Sequence, residues 1–426
     1  MRIIYSLILY LLVPFALARL LYQSWGNPKY RSRWHERFGF VKPIPEQQRT
    51  LWIHAVSVGE VNATRPILEY LQTNYPAYRI ILTTMTPTGA DTVARLYGDS
   101  VTHHYVPYDL PGAVKRFLRR IHPALLLVME TELWPNLFHH CHKNGIPILL
   151  ANARMSAKST RGYLRLKGLA SDTLKKLSCL AAQTEEDASR FLQLGAALET
   201  IHVIGNLKFD SVPELPDIAV RLQQRADFSQ DRPVWIAAST HEGEESIVLS
   251  AHGNIQKSHP DSLLIIAPRH PERFDAVYEL SRQSGFRTQR KSNAETVARE
   301  TQVFILDSLG ELFRFYALSD LAFVGGSLVP VGGHNMLEPA SLGLPIITGP
   351  HKHNFIEISD RLQACGALSV IQNDTSLANI INQLLGDESS RKISGKAGRE
   401  MVASSRGSSE RLTNLLAPLL GSHATS

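Results

Sequence analysis

Residues 325–339 read GGSLVPVGGHNMLEP, a run that concentrates backbone freedom and polar side chains in one short stretch. Gly325, Gly326, Gly332 and Gly333 let the chain turn tightly and approach a ligand with no Cβ in the way. Pro339 belongs in the first turn of a helix, where its missing N–H costs little. The amides at that helix start, around Asn335, Met336 and Leu337, suit a phosphate, and Glu338 can accept both hydroxyls of a ribose. A Gly-rich turn before an acidic helix start is the plain alternative, but Gly, His, Asn, Glu and Pro in this order are more specific. Pro268 and Arg269 add a guanidinium suited to bidentate phosphate contact. Leu309, Gly310 and Glu311 offer a turn able to hold a base or ribose, although Ser308 and Glu311 also have capping-box spacing.

The acids and the lysine of the first half have two readings each. Ser57 and Glu60 form a capping box, or Glu60 is a general base taking a proton from an acceptor hydroxyl. Glu130 follows an apolar run, where a catalytic or sugar-contacting carboxylate would stand, while Glu132 reads as the start of a helix. Lys208 meets developing negative charge on a leaving phosphate, or is a solvated lysine at a domain edge.

Absences narrow the ligand. The sequence has no GxxxxGK[ST] and no GxGxxG, which disfavours an ATPase or a nicotinamide enzyme. No Asp-x-Asp pair follows a strand, so a metal-held diphosphate is not indicated; a donor with one phosphate needs no such metal. The cysteines Cys141, Cys179 and Cys365 are scattered and odd in number, which fits a reducing compartment. His139, His140, Cys141 and His142 read as a histidine-rich helix surface rather than a zinc site. No metal and no cofactor are expected.

The elements that must position these groups alternate apolar runs with helical patterns, as in parallel α/β sheets. Strands are expected at 51–55, 79–84, 101–105, 124–129, 147–151 and 179–183, then at 234–238, 263–267, 303–306, 321–324, 345–348 and 367–371. Every candidate group above follows one of these strands or lies beside the linker. At 426 residues two cores are expected. The predicted organisation is a membrane anchor at 1–21, an acceptor-binding Rossmann-like domain at 22–210, a linker at 211–217 and a nucleotide-sugar domain at 218–426. The two doubly wound domains are expected to face a cleft.

Ile3 to Ala18 carries no charge, close to the length a membrane span needs. Arg2 alone precedes the run, whereas Arg19, Lys29, Arg31, Arg33 and Arg37 follow it. Positive charge stays cytoplasmic, which favours an anchor over a cleaved signal peptide. A helix lying in the interface would serve equally. Between Arg154 and Lys176, seven basic residues face one acid, Asp172; beside an anchor such a tract can meet anionic phospholipid. The net charge of +6 does not by itself indicate nucleic acid.

Taken together, HAVSVGE at 54–60, METELWPN at 129–136, GNLKFD at 205–210, APRHPERF at 267–274 and GGHNMLEP at 332–339 closely resemble the bacterial 3-deoxy-D-manno-octulosonic acid (Kdo) transferases. The resemblance runs from the anchor to about Ser404. It implies the GT-B fold, CMP-Kdo as donor, the lipid A precursor as acceptor, no bound metal, and a place on the cytoplasmic face of the inner membrane. It further implies Glu60 as catalytic base, Glu130 and Lys208 as transition-state stabilisers, and Pro268, Arg269, Leu309–Glu311 and Asn335–Glu338 as the CMP site. Two other readings share the architecture. A nucleotide-sugar epimerase would act on a free UDP-sugar without lipid, and a non-catalytic module would bind nucleotide sugar or lipid without turnover.

Overall fold

The computed structural model describes residues 1–213, 217–229, 231–293 and 296–421. The linker expected at 211–217 includes residues 214–216, which lie outside the described set. The chain forms two units, Met1–Ser211 together with the chain from Arg406 on, and Val212–Ser405.

In the first unit, β1 (Thr50–His54), β2 (Arg79–Thr84), β3 (Thr102–Tyr105), β4 (Pro123–Met129), β5 (Ile148–Ala153), β6 (Cys179–Ala182) and β7 (Ile201–Val203) form one sheet, ordered β3-β2-β1-β4-β5-β6-β7. All pairs are parallel. The inner strands are apolar on both faces because helices cover both. Trp52, Leu126 and Phe117 belong to the core on one side, and Leu51, Leu125 and Ile67 to the core on the other. The buried Trp52 indole still finds a partner, donating to Thr83 Oγ1 at 2.9 Å.

The second unit repeats the plan. β8 (Val234–Thr240), β9 (Leu263–Pro268), β10 (Thr288–Arg290), β11 (Val303–Ile305), β12 (Leu321–Val324), β13 (Ile346–Thr348) and β14 (Leu368–Val370) are ordered β10-β11-β9-β8-β12-β13-β14, again all parallel. The expected strands all appear, each within two residues of its predicted ends. β7 and β10 were not expected: both are edge strands with half-exposed or exposed side chains and no continuous apolar run.

The sequence reading carried the second domain to residue 426, and the structure corrects it. Helix Ser408–Leu420 packs Leu412, Leu416 and Leu420 into the first unit's core, beside Leu51 and Leu71. The Asp210 carboxylate accepts from Gly407 N (2.8 Å) and Ser409 N (2.5 Å). An acid at a helix N-terminus satisfies otherwise unpaired amides and complements the dipole. The same aspartate therefore ends the GNLKFD motif and fastens the returning chain.

Helix Arg2–Gly26 runs unbroken through Pro14, five residues past the predicted end of the anchor. It is long and apolar enough to cross a membrane. Tyr5, Ser6, Leu9, Val13, Ala16, Leu17 and Leu20 are buried or half-buried, a stripe at helical spacing turned to the first unit. The other side exposes Ile4, Leu7, Leu11 and Phe15. Asn136 ties the helix down: its Oδ1 accepts from Arg2 Nη1 (3.0 Å) and Ser6 Oγ (3.1 Å).

Candidate active site

Open α/β sheets bind ligands at the carboxyl ends of strands where the strand order reverses. In the first unit that point lies between β1 and β4, and the segments leaving them are Ala55–Glu60 and Glu130–Trp134. Ser57 N-caps helix Val58–Ala63, accepting from Glu60 N at 3.3 Å. The Glu60 carboxylate turns back, with Oε1 accepting from Ser57 Oγ (2.9 Å) and Oε2 from Val56 N (2.8 Å). The capping reading is thus correct locally. Burial goes further than a cap needs. Glu60 is only 7% exposed, and burial, then the nearby Glu130 charge and more weakly Glu132, push its pKa up to about 7 against the two donors. A carboxyl poised there accepts a proton at neutral pH.

Glu130 adopts a left-handed backbone conformation (φ 57°) directly after β4, with its N–H bonded to Ala151 O at 2.9 Å. Such conformations are uncommon for residues with a Cβ and cluster at functional positions. Lys208 Nζ lies 3.4 Å from Glu130 Oε1, so two residues 78 positions apart in sequence meet. Asn152, at φ 53° and fully buried, fixes the lysine's turn: its Oδ1 accepts from Leu207 N at 3.0 Å. Glu132 does not start a helix. Its Oε2 accepts from Trp134 Nε1 at 2.6 Å, and helix Pro135–Lys143 is capped instead by Asp109, whose oxygens accept from Asn136 N and Leu137 N. His139 and His140 sit on this helix with rings 5.1 Å apart.

In the second unit the reversal lies between β8 and β12. Gly326 (φ 67°) accepts on its carbonyl from Gly332 N (3.0 Å) and Gly333 N (2.7 Å), closing GGSLVPVGG into a compact loop. A Cβ on Gly326 would meet the His334 ring at 2.9 Å, so glycine is required. The His334 and His241 rings lie end to end in nearly one plane, with Nε2 atoms 2.8 Å apart, centroids 5.1 Å apart and planes 4° from parallel. Burial, then the charge of Arg269 and the two other histidines, holds His334 down at about 4. The pair is therefore neutral at pH 7, one ring donating to the other.

The two arginines of APRHPERF divide. Arg273 is taken by Glu245 (3.2 Å) and Glu242 (3.4 Å). Arg269, exposed and anchored through its N–H to Thr240 O at 3.0 Å, has no carboxylate partner among the described residues. Pro268 ends β9 beside it.

Asn335 bridges the start of helix Leu337–Ser341, accepting from Leu337 N and donating to Glu338 Oε1, both at 3.1 Å. Burial raises the Glu338 pKa, with Asn335 opposing. The Leu337 amide is already occupied by Asn335, so the anion site inferred from the helix start alone is reduced. The predicted capping box at Ser308 does not form. Glu311 holds the N-cap position of helix Leu312–Ala317, and its carboxylate accepts from the Ser308 hydroxyl. Leu309 is exposed, and Gly310 turns at φ 87°.

One residue escaped the sequence reading. Glu244, fully buried at the start of helix Glu244–Ser258, accepts four backbone N–H bonds: His241 (2.9 Å), Gly326 (2.7 Å), Ser327 (3.0 Å) and Leu328 (2.9 Å). It holds the glycine loop to the end of β8. In sequence it is one of three glutamates at a helix start, where acids are common for the dipole alone.

Comparison with known proteins adds identity to this geometry. A sequence model of the family described as 3-Deoxy-D-manno-octulosonic-acid transferase (kdotransferase) matches residues 32–211. A 3-deoxy-D-manno-octulosonic acid transferase from Haemophilus influenzae is 42% identical over 422 residues, covering 98% of this chain and 99% of the relative. Among solved structures, a UDP-GlcNAc 2-epimerase from Neisseria meningitidis aligns with a TM-score of 0.54 at 16% identity, covering 87% of this chain and 99% of that one. A glycosyltransferase from Rickettsia africae also gives 0.54, at 14% identity and coverage of 88% and 99%. At such identity these two establish the fold alone, and the fold serves both epimerisation and glycosyl transfer. Sequence identity over nearly the whole length decides between them: the chain belongs to the family of 3-deoxy-D-manno-octulosonic acid (Kdo) transferases, glycosyltransferase enzymes of the GT-B fold.

Proposed function

We propose that the chain transfers Kdo from CMP-Kdo to the lipid A precursor, with inversion and with Glu60 as general base. The observation that carries the reading is a buried carboxyl with a pKa of about 7 at the strand-order reversal. Glu60 takes the proton of the acceptor's primary hydroxyl as that oxygen attacks the anomeric carbon of Kdo. The bond from that carbon to the phosphate oxygen breaks and CMP leaves. The unpaired Arg269 suits its single phosphate. Lys208 offers positive charge to the leaving group, and Glu130, which holds Lys208, orients the acceptor or stabilises positive charge at the anomeric centre. Pro268, Leu309–Glu311 and Asn335–Glu338 border the nucleotide, with Glu338 toward the ribose.

In this reading the enzyme works at the inner membrane with its catalytic domains cytoplasmic. The N-terminal helix supplies the apolar attachment. Lys158, Arg161, Arg165, Lys167 and Lys175 are exposed and have no ion pair among the described residues, which suits anionic phospholipid. Incubating the enzyme with CMP-Kdo and lipid A precursor, followed by mass spectrometry of the lipid, tests the reaction; unchanged lipid beside released CMP would refute it.

Two substitutions probe the roles. Arg269→Ala is expected to raise KM for CMP-Kdo about 10- to 100-fold, the loss of one charged contact, with the melting temperature unchanged; an unaltered KM removes Arg269 from the donor site. Glu130→Gln deletes the charge that helps hold the Glu60 pKa up. The acidic limb of residual kcat/KM should therefore move to lower pH, and an unmoved limb would show that the two carboxylates are not coupled.

A further inference from the structure

Between the N-terminal helix and the loop after β4 lies a cavity of about 270 Å³. Leu9, Val13 and Ala16 form its wall on the helix, and Leu110, Leu133 and Trp134 form the wall on the body of the first unit. The one carboxylate at its edge, Asp109, has its oxygens occupied by the Asn136 and Leu137 amides. Apart from Asp109 and the tyrosines Tyr5 and Tyr108, the lining is hydrocarbon and indole, which suits an apolar chain better than a charged or sugar ligand.

Its position gives it a use. Trp134 is shared with the candidate acceptor site: its indole donates to Glu132, and its ring meets the edge of His54 at 5.5 Å, at the end of β1. Glu132 and Glu130 in turn bear on Glu60. The helix that closes the cavity exposes Ile4, Leu7, Leu11 and Phe15 on its far side, the face that would meet lipid. An apolar slot thus runs between a membrane-facing helix and the residues around the base. We propose that this slot receives one acyl chain of the lipid acceptor, drawing the headgroup sugar toward Glu60. The proposal rests on the acceptor assigned under Proposed function.

The helix then does more than attach the enzyme. It forms one wall of a substrate subsite, and Asn136, which accepts from Arg2 and Ser6, holds that wall to the first unit. Burial of methylenes supplies the binding, and the slot accepts chains by length and shape rather than by polar contacts.

The test uses the full chain and a lipid A precursor carrying a diazirine in one acyl chain. Photolysis should label Leu9, Val13 and Ala16 on the helix together with Leu133 and Trp134. Labelling confined to the exposed face around Ile4, Leu11 and Phe15 would overturn the proposal, whether or not transfer occurs. Turnover of the same lipid by the wild type reports separately on the assigned reaction. As a second measurement, Ala16→Phe and Val13→Trp fill the slot from two positions. Each should lower the preference (kcat/KM) for tetraacylated over fully deacylated acceptor about ten-fold or more. Binding to phosphatidylglycerol vesicles should stay at the wild-type level, separating the slot from membrane attachment. An undiminished preference in folded variants counts against the slot.

Discussion

Glu60→Gln is expected to abolish transfer while making the protein more stable. General-base catalysis contributes about 10²- to 10⁴-fold, so kcat should fall by at least two orders of magnitude with KM for CMP-Kdo little changed. The wild-type kcat/KM should rise with pH and level off above about 7, where the Glu60 carboxyl is ionised. The stability effect follows from the same displacement. Below the ordinary value of 4.5 the carboxyl is protonated in both the folded and unfolded chain. Between 4.5 and about 7 the unfolded chain releases the proton while the folded chain keeps it, so wild-type stability declines as pH rises through that window. The full displacement is worth on the order of 3 kcal/mol. Glutamine escapes it, keeping an acceptor for Val56 N–H and a donor for the Ser57 oxygen, although it loses the charge that strengthens both bonds. A net gain of about 1–2 kcal/mol at pH 8 is expected, or a melting temperature higher by about 2–8 °C. A melting-temperature gap that opens as pH is raised from 4 to 8 would carry the signature. Near-normal kcat in Glu60→Gln would end its assignment as base.

That trade between activity and stability explains which parts of the site were legible in sequence. Strands such as LLLVM at 125–129 announce themselves because burial on both faces demands continuous apolar residues. The groups just beyond them are polar for a reason, and Glu60, Glu130 and Arg269 stand out on that basis. What sequence cannot carry is the pairing between distant segments. Nothing local distinguishes Arg269 from Arg273; only Glu242 and Glu245, around the start of the neighbouring helix, engage Arg273, while Arg269 has no carboxylate partner among the described residues. The left-handed backbone at Glu130 is invisible too, since glutamate, unlike the asparagine at 152, gives no signal for it. Helix Ser408–Leu420 is amphipathic in sequence, yet amphipathicity does not say which core it joins. Its partner is set by distant contacts, Asp210 holding Gly407 and Ser409 and the Ile204 carbonyl holding Arg411. The short strands β7 and β10 fail for the opposite reason: an exposed edge needs no apolar pattern to form.

Glu244 is where such a long-range contact matters most, and its replacement should be the most damaging single change in the second unit. Its carboxylate is the common acceptor for four amides, three of them from consecutive residues Gly326, Ser327 and Leu328. Glu244→Ala would leave those donors without a partner in a site that is fully buried. Removing one partner of a buried charged network costs about 3–5 kcal/mol. For a unit of this size each kcal/mol lowers the melting temperature by about 2–4 °C, so a drop of about 6–20 °C is expected. Glu244→Gln keeps one oxygen but turns an NH₂ toward amide donors, replacing attraction with a donor–donor clash, and should not rescue the loss. The functional consequence follows from the glycine loop. Once released from the end of β8, Gly326 no longer holds Gly332 and Gly333, and the His241–His334 hydrogen bond and the approach to Asn335 lose their support. Donor affinity should therefore fall even at temperatures where the variant remains folded, visible as weaker CMP binding by calorimetry. If Glu244→Ala melts within 2 °C of the wild type and binds CMP equally well, the loop is held by its own backbone bonds and the carboxylate is dispensable.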